Sequence, residues 1–394
     1  MIRRQFLTSI TSLAPMWILS NIHAQTASLR VGVIGHTGRG NYGHGLDTMW
    51  LQTPHTTIVG VSDPDEAGRT AAVKRLSAPA AFSDHRDLLE KTRPDIVSIC
   101  PRHVDQHHQM LSDAILNGVK GIYIEKPFVR TPKEADDIRQ LASKHGTRVA
   151  VAHRNRYHPA LQRTADLLKE GVFGTLLEVR TRGKEDSRGG ALDLWVLGSH
   201  VLNLGAFFTG IPTSCNATVF TEGRPVKAAD VKDGAEGVGP LAGDEVHARF
   251  TTPSGVPLFF DSKKDQGSKG AGFGIQLICS DAIVDLRTDA EPMVHVRRGN
   301  PFSPSQTPRG FEVLSSAGLG LPEPHSDIKS LIAGHQLPAR NLIECMTTGS
   351  DPLCGLKEAA ATVEMICAIF ESHRLSGANV ALPIPRRDNP LANL

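Results

Sequence analysis

The sequence carries almost no excess charge of either sign: 43 Lys and Arg stand against 41 Asp and Glu over 394 residues. A nucleic-acid partner needs clustered basic charge, so that class is excluded, and electrostatic steering of highly charged ligands is not expected. Cysteines are few. The six present (Cys100, Cys215, Cys279, Cys345, Cys354, Cys367) form no Cys-x-x-Cys pair, which leaves neither a zinc ribbon nor a redox motif. Most sit in apolar runs as small core residues, and an oxidising compartment would allow a Cys345 to Cys354 disulfide. Aromatics are only 5%, and no internal repeat or low-complexity segment is present. What remains is an ordinary soluble composition, long enough for two domains, because single cores stop growing at roughly 250–300 residues.

No stable membrane span is expected once a signal is removed. The uncharged stretch from Thr8 to Ile22 holds Pro15 with several Ser and Thr, and is shorter than the ~20 apolar residues a span needs. Preceded by Arg3-Arg4-Gln5-Phe6-Leu7 and followed by His23-Ala24, it reads as a signal peptide over residues 1–24. The paired arginines before Phe-Leu look like a twin-arginine signal, the export route for proteins that fold before crossing, with Ile2 where Ser or Thr is usual. The expectation is a periplasmic or otherwise exported protein. Signal removal takes away Arg3 and Arg4 and equalises the two charge totals.

From residue 25 to about 155, strand-length apolar runs alternate with helical patterns: Val31–Ile34, Thr57–Val61, Asp95–Cys100, Gly121–Ile124 and Arg148–Ala152. That rhythm predicts an α/β domain, a doubly wound parallel sheet of the Rossmann kind. Thr131, Pro132 and Glu134 form a capping box that starts a helix ending near Gly146. From 156 to 394 the alternating segments Leu176–Thr181, Glu245–Phe250, Pro257–Phe260 and Gly274–Cys279 predict an α+β domain with an open, mainly antiparallel or mixed sheet. Stretches 223–243, 262–273 and 299–325 read as surface loops. Helical periodicity returns at Asn341–Thr347 and Leu356–His373, ahead of a short Val380–Leu382 strand.

The first strand runs into Gly35-His36-Thr37-Gly38-Arg39-Gly40, a glycine-rich turn expected to open a helix whose free N–H groups face a pyrophosphate. Asp63 follows the second strand, where a carboxylate accepts from a ribose diol and favours NAD, while Arg39 beside the turn keeps NADP open. Glu125-Lys126-Pro127 closes the fourth strand run, so Lys126 should point into the cofactor crevice and work on a reacting oxygen. Gly190 to Phe208 reads as a helix with a polar stripe of Asp193, Val196, His200, Asn203 and Phe207. His200 is a candidate proton acceptor, and Gly198 leaves room for a flat ring. Arg156 and Tyr157, after the fifth strand run, are candidates for sugar hydroxyls. His103, His107 and His108 have ligand spacing without a supporting carboxylate or cysteine, so no metal is expected.

Together these motifs resemble the Gfo/Idh/MocA oxidoreductases, over essentially the whole chain after the signal: the turn at 35–40, Asp63, Glu125-Lys126-Pro127, Asn155-Arg-Tyr-His-Pro159, Gly198-Ser-His200, and Glu371-Ser372 leading to Val380-Ala-Leu-Pro383. The resemblance implies bound NAD(P), with Glu125 and Lys126 in its site, and a sugar, sugar derivative or cyclitol as substrate. It also implies a homo-oligomer formed through the C-terminal sheet. The family's aspartates four before and three after the histidine are here Val196 and Asn203, which leaves Asp193, a turn earlier, as a substitute. A periplasm supplies no free NAD, so an exported member must regenerate its cofactor within one cycle. Coupled oxidation and reduction of two sugars would do this, as would transient C3 oxidation followed by elimination in an NAD-dependent glycosidase, and a third route passes the electrons to an unknown acceptor. A non-catalytic carbohydrate-binding protein on the same scaffold is the remaining alternative.

Overall fold

The computed structural model describes residues 28–267 and 273–394, so the expected signal at 1–24 lies outside the described residues. Six strands, β1 (Leu29–Ile34), β2 (Thr56–Ser62), β3 (Ala81–Phe82), β4 (Ile96–Ile99), β5 (Gly121–Ile124) and β6 (Arg148–Val151), form a wholly parallel sheet. Their order is β3-β2-β1-β4-β5-β6, so the chain reverses its direction of winding at β1, where a crevice opens at the carboxyl ends of the strands. Fully buried Val and Ile on the central strands explain why these runs read as continuous rather than alternating.

Helices α1 (Glu66–Leu76), α2 (His85–Thr92), α3 (His107–Leu116) and α4 (Pro132–His145) cover the sheet. The start of α4 is as the sequence predicts: Thr131 Oγ1 accepts from Glu134 N at 3.1 Å, with Pro132 in the first turn and Gly146 left-handed at the end. Glu134 itself reaches one residue further back, to Arg130 N at 2.8 Å. No α-helix follows the glycine-rich turn. Gly43 and Gly45 take left-handed φ of 63° and 93°, and the segment runs through turns into a single 3-10 turn at Thr48–Leu51.

After α5 (Pro159–Lys169) the second sheet begins with β7 (Leu176–Arg182), followed by β8 (Ser214–Thr221), β9 (Arg224–Pro225), β12 (Glu245–Thr251) and β13 (Leu258–Lys263), while β10 (Lys232–Gly234) and β11 (Gly239–Leu241) pair only with each other. It continues through β14 (Gly274–Cys279), β15 (Ala282–Arg287), β16 (Val294–Arg298), β17 (Glu312–Leu314) and β18 (Val380–Ala381). Its order is β17-β16-β15-β14-β7-β13-β12-β8-β18, with β9 on β8. Only β13 and β7 pair parallel; every other neighbour is antiparallel. The stretches expected to be loops therefore carry structure: β10 and β11 make a hairpin inside 223–243, β13 extends to Lys263, and β17 lies inside 299–325.

One helix fills the angle between the sheets. It runs from α6 (Ala191–Asp193) through a π turn at Leu194–Gly198 into α7 (Ser199–Thr209). Gly198 and Gly205 let it lie close to the second sheet: a Cβ on Gly198 would come within 2.8 Å of the Phe260 ring, and one on Gly205 within 2.7 Å of Leu258. The flat ring that Gly198 makes room for is thus Phe260. Helices α8 (Ile328–Ala333), α9 (Gln336–Thr348) and α10 (Leu356–Arg374) return the chain to the first domain, α10 packing on α4. The tail follows them. Arg387 donates to Asp136 of α4 at 2.7 Å and to Glu364 of α10 at 2.8 Å, and its carbonyl accepts from Lys133 N at 2.9 Å. All six cysteines are free and buried, so Cys345 and Cys354 are not bridged.

Candidate active site

The crevice is built from the carboxyl ends of β1, β4, β5 and β6. On β1, Gly38 (φ 84°) faces open space, whereas Gly40 (φ 90°) has the Arg102 backbone where a side chain would stand. Thr37, at the usual middle glycine, explains itself through Asp63. Its N–H lies 3.1 Å from both Asp63 oxygens and its hydroxyl donates to Oδ2 at 2.7 Å, while Asp65 N donates to Oδ1 at 3.0 Å. Asp63 is fully buried. It pins the glycine turn to β2 and is not turned toward a ribose diol. Arg39 is committed to Asp105, at 2.5 Å, and does not stand free for a 2′-phosphate.

A cavity of about 300 Å³ lies beside this turn, lined by Gly35, His36, Ser62, Pro64, Ser83 and Arg86 among others. It sits where an open α/β sheet takes the adenosine half of a dinucleotide. The open face of Gly38, the close approach at Gly40 and this cavity fit NAD. The backbone that would face a pyrophosphate there is a glycine turn and not a helix terminus.

At the end of β5, Glu125 is buried with one oxygen on His44 Nδ1 at 2.7 Å and the other accepting from Lys126 N at 2.7 Å. Burial alone would raise its pKa, but the His44 hydrogen bond and the Lys126 charge outweigh it and hold the carboxyl at about 2. Lys126 is buried too, and its Nζ donates to the Val196 carbonyl at 2.5 Å. Val196 lies in the π turn, and π turns leave carbonyls off the regular i to i+4 ladder. Burial pulls the Lys126 pKa down against the opposing pull of Glu125 and Glu236.

His200, next on the same helix, meets His153 from the end of β6. Their Nδ1 atoms are 3.3 Å apart and the rings are edge to face at 5.1 Å. Burial, then the charge of Lys126, keeps His200 well below the usual histidine range, and the same causes push His153 to about 3. Both rings are therefore neutral bases at neutral pH. Below them, Asn155 and Asp289 exchange hydrogen bonds at 3.0 and 3.1 Å, and Arg154 pairs with Asp289.

Several residues expected here lie elsewhere. Asp193 does not join His200: Ser262 Oγ donates to it at 2.6 Å and Glu185 N at 3.0 Å, so it ties the 183–190 loop to β13. The π turn is the reason, because its extra residue breaks the stripe between Asp193 and His200. Asn203 and Arg156 hold each other, Arg156 Nη1 donating to the Asn203 carbonyl at 2.8 Å, with Asn203 also on Thr362. The Tyr157 hydroxyl accepts from Cys354 N at 3.2 Å. These three brace the domain junction. His107 is likewise structural, its ring nitrogens 2.8 and 2.7 Å from the Pro127 and Pro101 carbonyls. The residues sequence reasoning passed over are His153, His44, Asp289 and Glu236. For His153 a signal existed, since it follows a parallel strand just as Lys126 does.

A six-stranded parallel sheet with a crevice at its carboxyl ends and a buried lysine at a strand end defines a Rossmann-type dinucleotide-binding fold. Residues 29–153 match the model of the oxidoreductase family GFO_IDH_MocA, described as having an NAD-binding Rossmann fold. Curated relatives include an uncharacterized oxidoreductase, YrbE, of Bacillus subtilis, 28% identical over 39% of this chain and 45% of its own length. D-glucoside 3-dehydrogenase of Escherichia coli is 25% identical over 50% of this chain and 59% of its own length. The chain thus spans about half the length of the curated relatives it matches. Among solved structures, levoglucosan dehydrogenase in complex with NADH and levoglucosan superposes with a TM-score of 0.71 at 17% identity, covering 90% of this chain and 99% of that one, which establishes the shared fold.

Proposed function

We propose that the chain is an NAD-dependent oxidoreductase acting on a secondary hydroxyl of a sugar or sugar derivative. One observation carries the reading: Lys126, buried at the end of β5, shares its crevice with the neutral His153 and His200 pair. The glycine turn at 35–40 and the Glu125-Lys126 strand end would hold NAD, which supplies the hydride acceptor when bound. Lys126 exchanges its hydrogen bond to the Val196 carbonyl for one to the reacting oxygen and stabilises negative charge there. His200 takes the hydroxyl proton, and its Nδ1 contact lets His153 share the change. With Asp193 and Asn203 engaged elsewhere, this pair of rings does the work the family's aspartates would do. NAD is favoured over NADP because Arg39 is spent on Asp105.

The finer part of the proposal is an exported enzyme that keeps its cofactor and recycles it within one catalytic cycle. The hairpin β10–β11 supports this by packing its tip, Ala235–Gly237, against Val104–Gln106 at the crevice rim. The test is mass spectrometry and absorbance of protein purified without added nucleotide, before and after mixing with methyl β-D-glucoside and levoglucosan. Retained NAD that changes redox state with a sugar, and fails to in Lys126→Ala, supports the reading. A protein that neither retains nor binds NAD is the carbohydrate-binding alternative.

A further inference from the structure

Lys126 lies within electrostatic reach of three carboxylates: Glu125, Glu236 and Asp289. Two are committed. Glu125 is held by His44 and by the Lys126 backbone, and Asp289 by Arg154 and Asn155. Glu236 makes no hydrogen bond or ion pair among the described residues, and it is a charge that Lys126, His103 and Arg188 all feel.

Its position is fixed from both ends. The hairpin β10–β11 pairs Gly234 with Gly239, leaving residues 235–238 as its tip. Val238 of the tip is fully buried, and Gly237, left-handed at φ 72°, fits against Asp105 where a side chain would collide. The base is tied by Ala191 N donating to Gly243 O at 3.1 Å, and Asn389 Nδ2 donates to Pro240 O at 2.9 Å. Glu236 is itself left-handed, φ 57°, a conformation that disfavours a non-glycine residue unless its surroundings impose it. A carboxylate thus stands at a left-handed backbone position beside the crevice. Lys126 and Arg102, which has no ion pair among the described residues, would otherwise make that mouth cationic, and attractive to acidic sugars.

We infer that Glu236 is a substrate-specificity residue: its carboxylate accepts hydrogen bonds from hydroxyls of a neutral sugar held at Lys126, and it repels sugars that carry a carboxylate. The inference rests on the sugar-oxidoreductase reading above. A charge-assisted hydrogen bond to a pair of hydroxyls is lost in Glu236→Gln, which keeps the shape, and in Glu236→Ala.

Wild type and both variants are compared on methyl β-D-glucoside and D-glucuronate, by initial rates and by calorimetric titration of each sugar into NAD-loaded protein. NAD affinity and melting temperature serve as controls. The expected result is a KM for the glucoside raised ~10- to 100-fold with kcat little changed, a rise in the preference for glucuronate over glucoside, and unaltered NAD affinity. Unchanged KM, binding and preference in Glu236→Gln overturn the inference while leaving the oxidoreductase reading intact. If wild type binds the glucoside without turnover, that reading fails, and weaker binding in Glu236→Gln still supports the specificity role. Equal binding in wild type and variant, or no binding of either sugar by wild type, overturns it.

Discussion

His153 Nδ1 and His200 Nδ1 face each other at 3.3 Å, and only one of the two can carry a hydrogen in that contact. Whichever ring donates there must accept at its other nitrogen, so the two tautomers are coupled. A proton taken by His200 can pass into the pair. We expect His200→Ala to lower kcat ~10²- to 10⁴-fold, and His153→Ala to lower it by a smaller factor with KM preserved. Steady-state kinetics on the first sugar found to reduce NAD checks both, and equal rates in His153→Ala and wild type would sink the relay.

The same rings set an acid limit on stability. Folded His153 has a pKa of about 3 and folded His200 is also depressed, whereas both titrate near 6.5 when unfolded. Above that value neither state binds the proton and stability is flat. As pH falls from 6.5 toward 3, the unfolded chain takes up protons that the folded one refuses, so stability drops by up to ~1.4 kcal/mol per pH unit for each ring. Melting temperatures across that window should slope downward on acidification, with a shallower slope in His153→Gln.

Thr37 should matter to the cofactor although its side chain points at Asp63. Thr37→Val removes the 2.7 Å hydroxyl bond and leaves the buried carboxylate short of a donor, a loss of ~1–3 kcal/mol. NAD affinity should fall about 10-fold or more because the glycine turn loosens. Titration of NAD by fluorescence tests this, and an unchanged affinity would show that Asp63 does not pin the turn for binding.

Gly198 is a packing position. A methyl group there meets the Phe260 ring at 2.8 Å, and overpacking of this kind costs ~1–3 kcal/mol. Thermal unfolding of Gly198→Ala should show that loss. Because the π turn also presents the Val196 carbonyl to Lys126, activity should fall more than stability does.

Export is tested by Arg3→Lys with Arg4→Lys in a bacterium that has the twin-arginine route. The expected outcome is retention of the precursor in the cytoplasm. Unimpaired export of the double variant would remove the twin-arginine assignment.

The parallel sheet was legible because buried strands such as Ile96–Ile99 and Gly121–Ile124 have no polar alternation, and Lys126 because a strand end in this topology has one outlook. The helix after Gly40 was misread since the pattern that opens a dinucleotide helix was present, while Gly43 and Gly45 broke it a few residues on. Asp193 was misplaced for a different reason. Helical spacing assumes 3.6 residues per turn, and nothing in Leu194–Gly198 announces a π turn. The chemistry of Arg156, Tyr157 and Asn203 suits a substrate, but polar groups near a domain junction are as readily consumed by each other. Glu236 lay in a stretch read as loop, where periodicity is silent.

The Arg387 clasp on Asp136 and Glu364 has a consequence for biosynthesis. These residues leave the ribosome after every strand of both sheets. The nascent N-terminal domain therefore has its whole crevice formed while the last latch to the second domain is still being made, an interval in which a nucleotide can enter without any lid having to open.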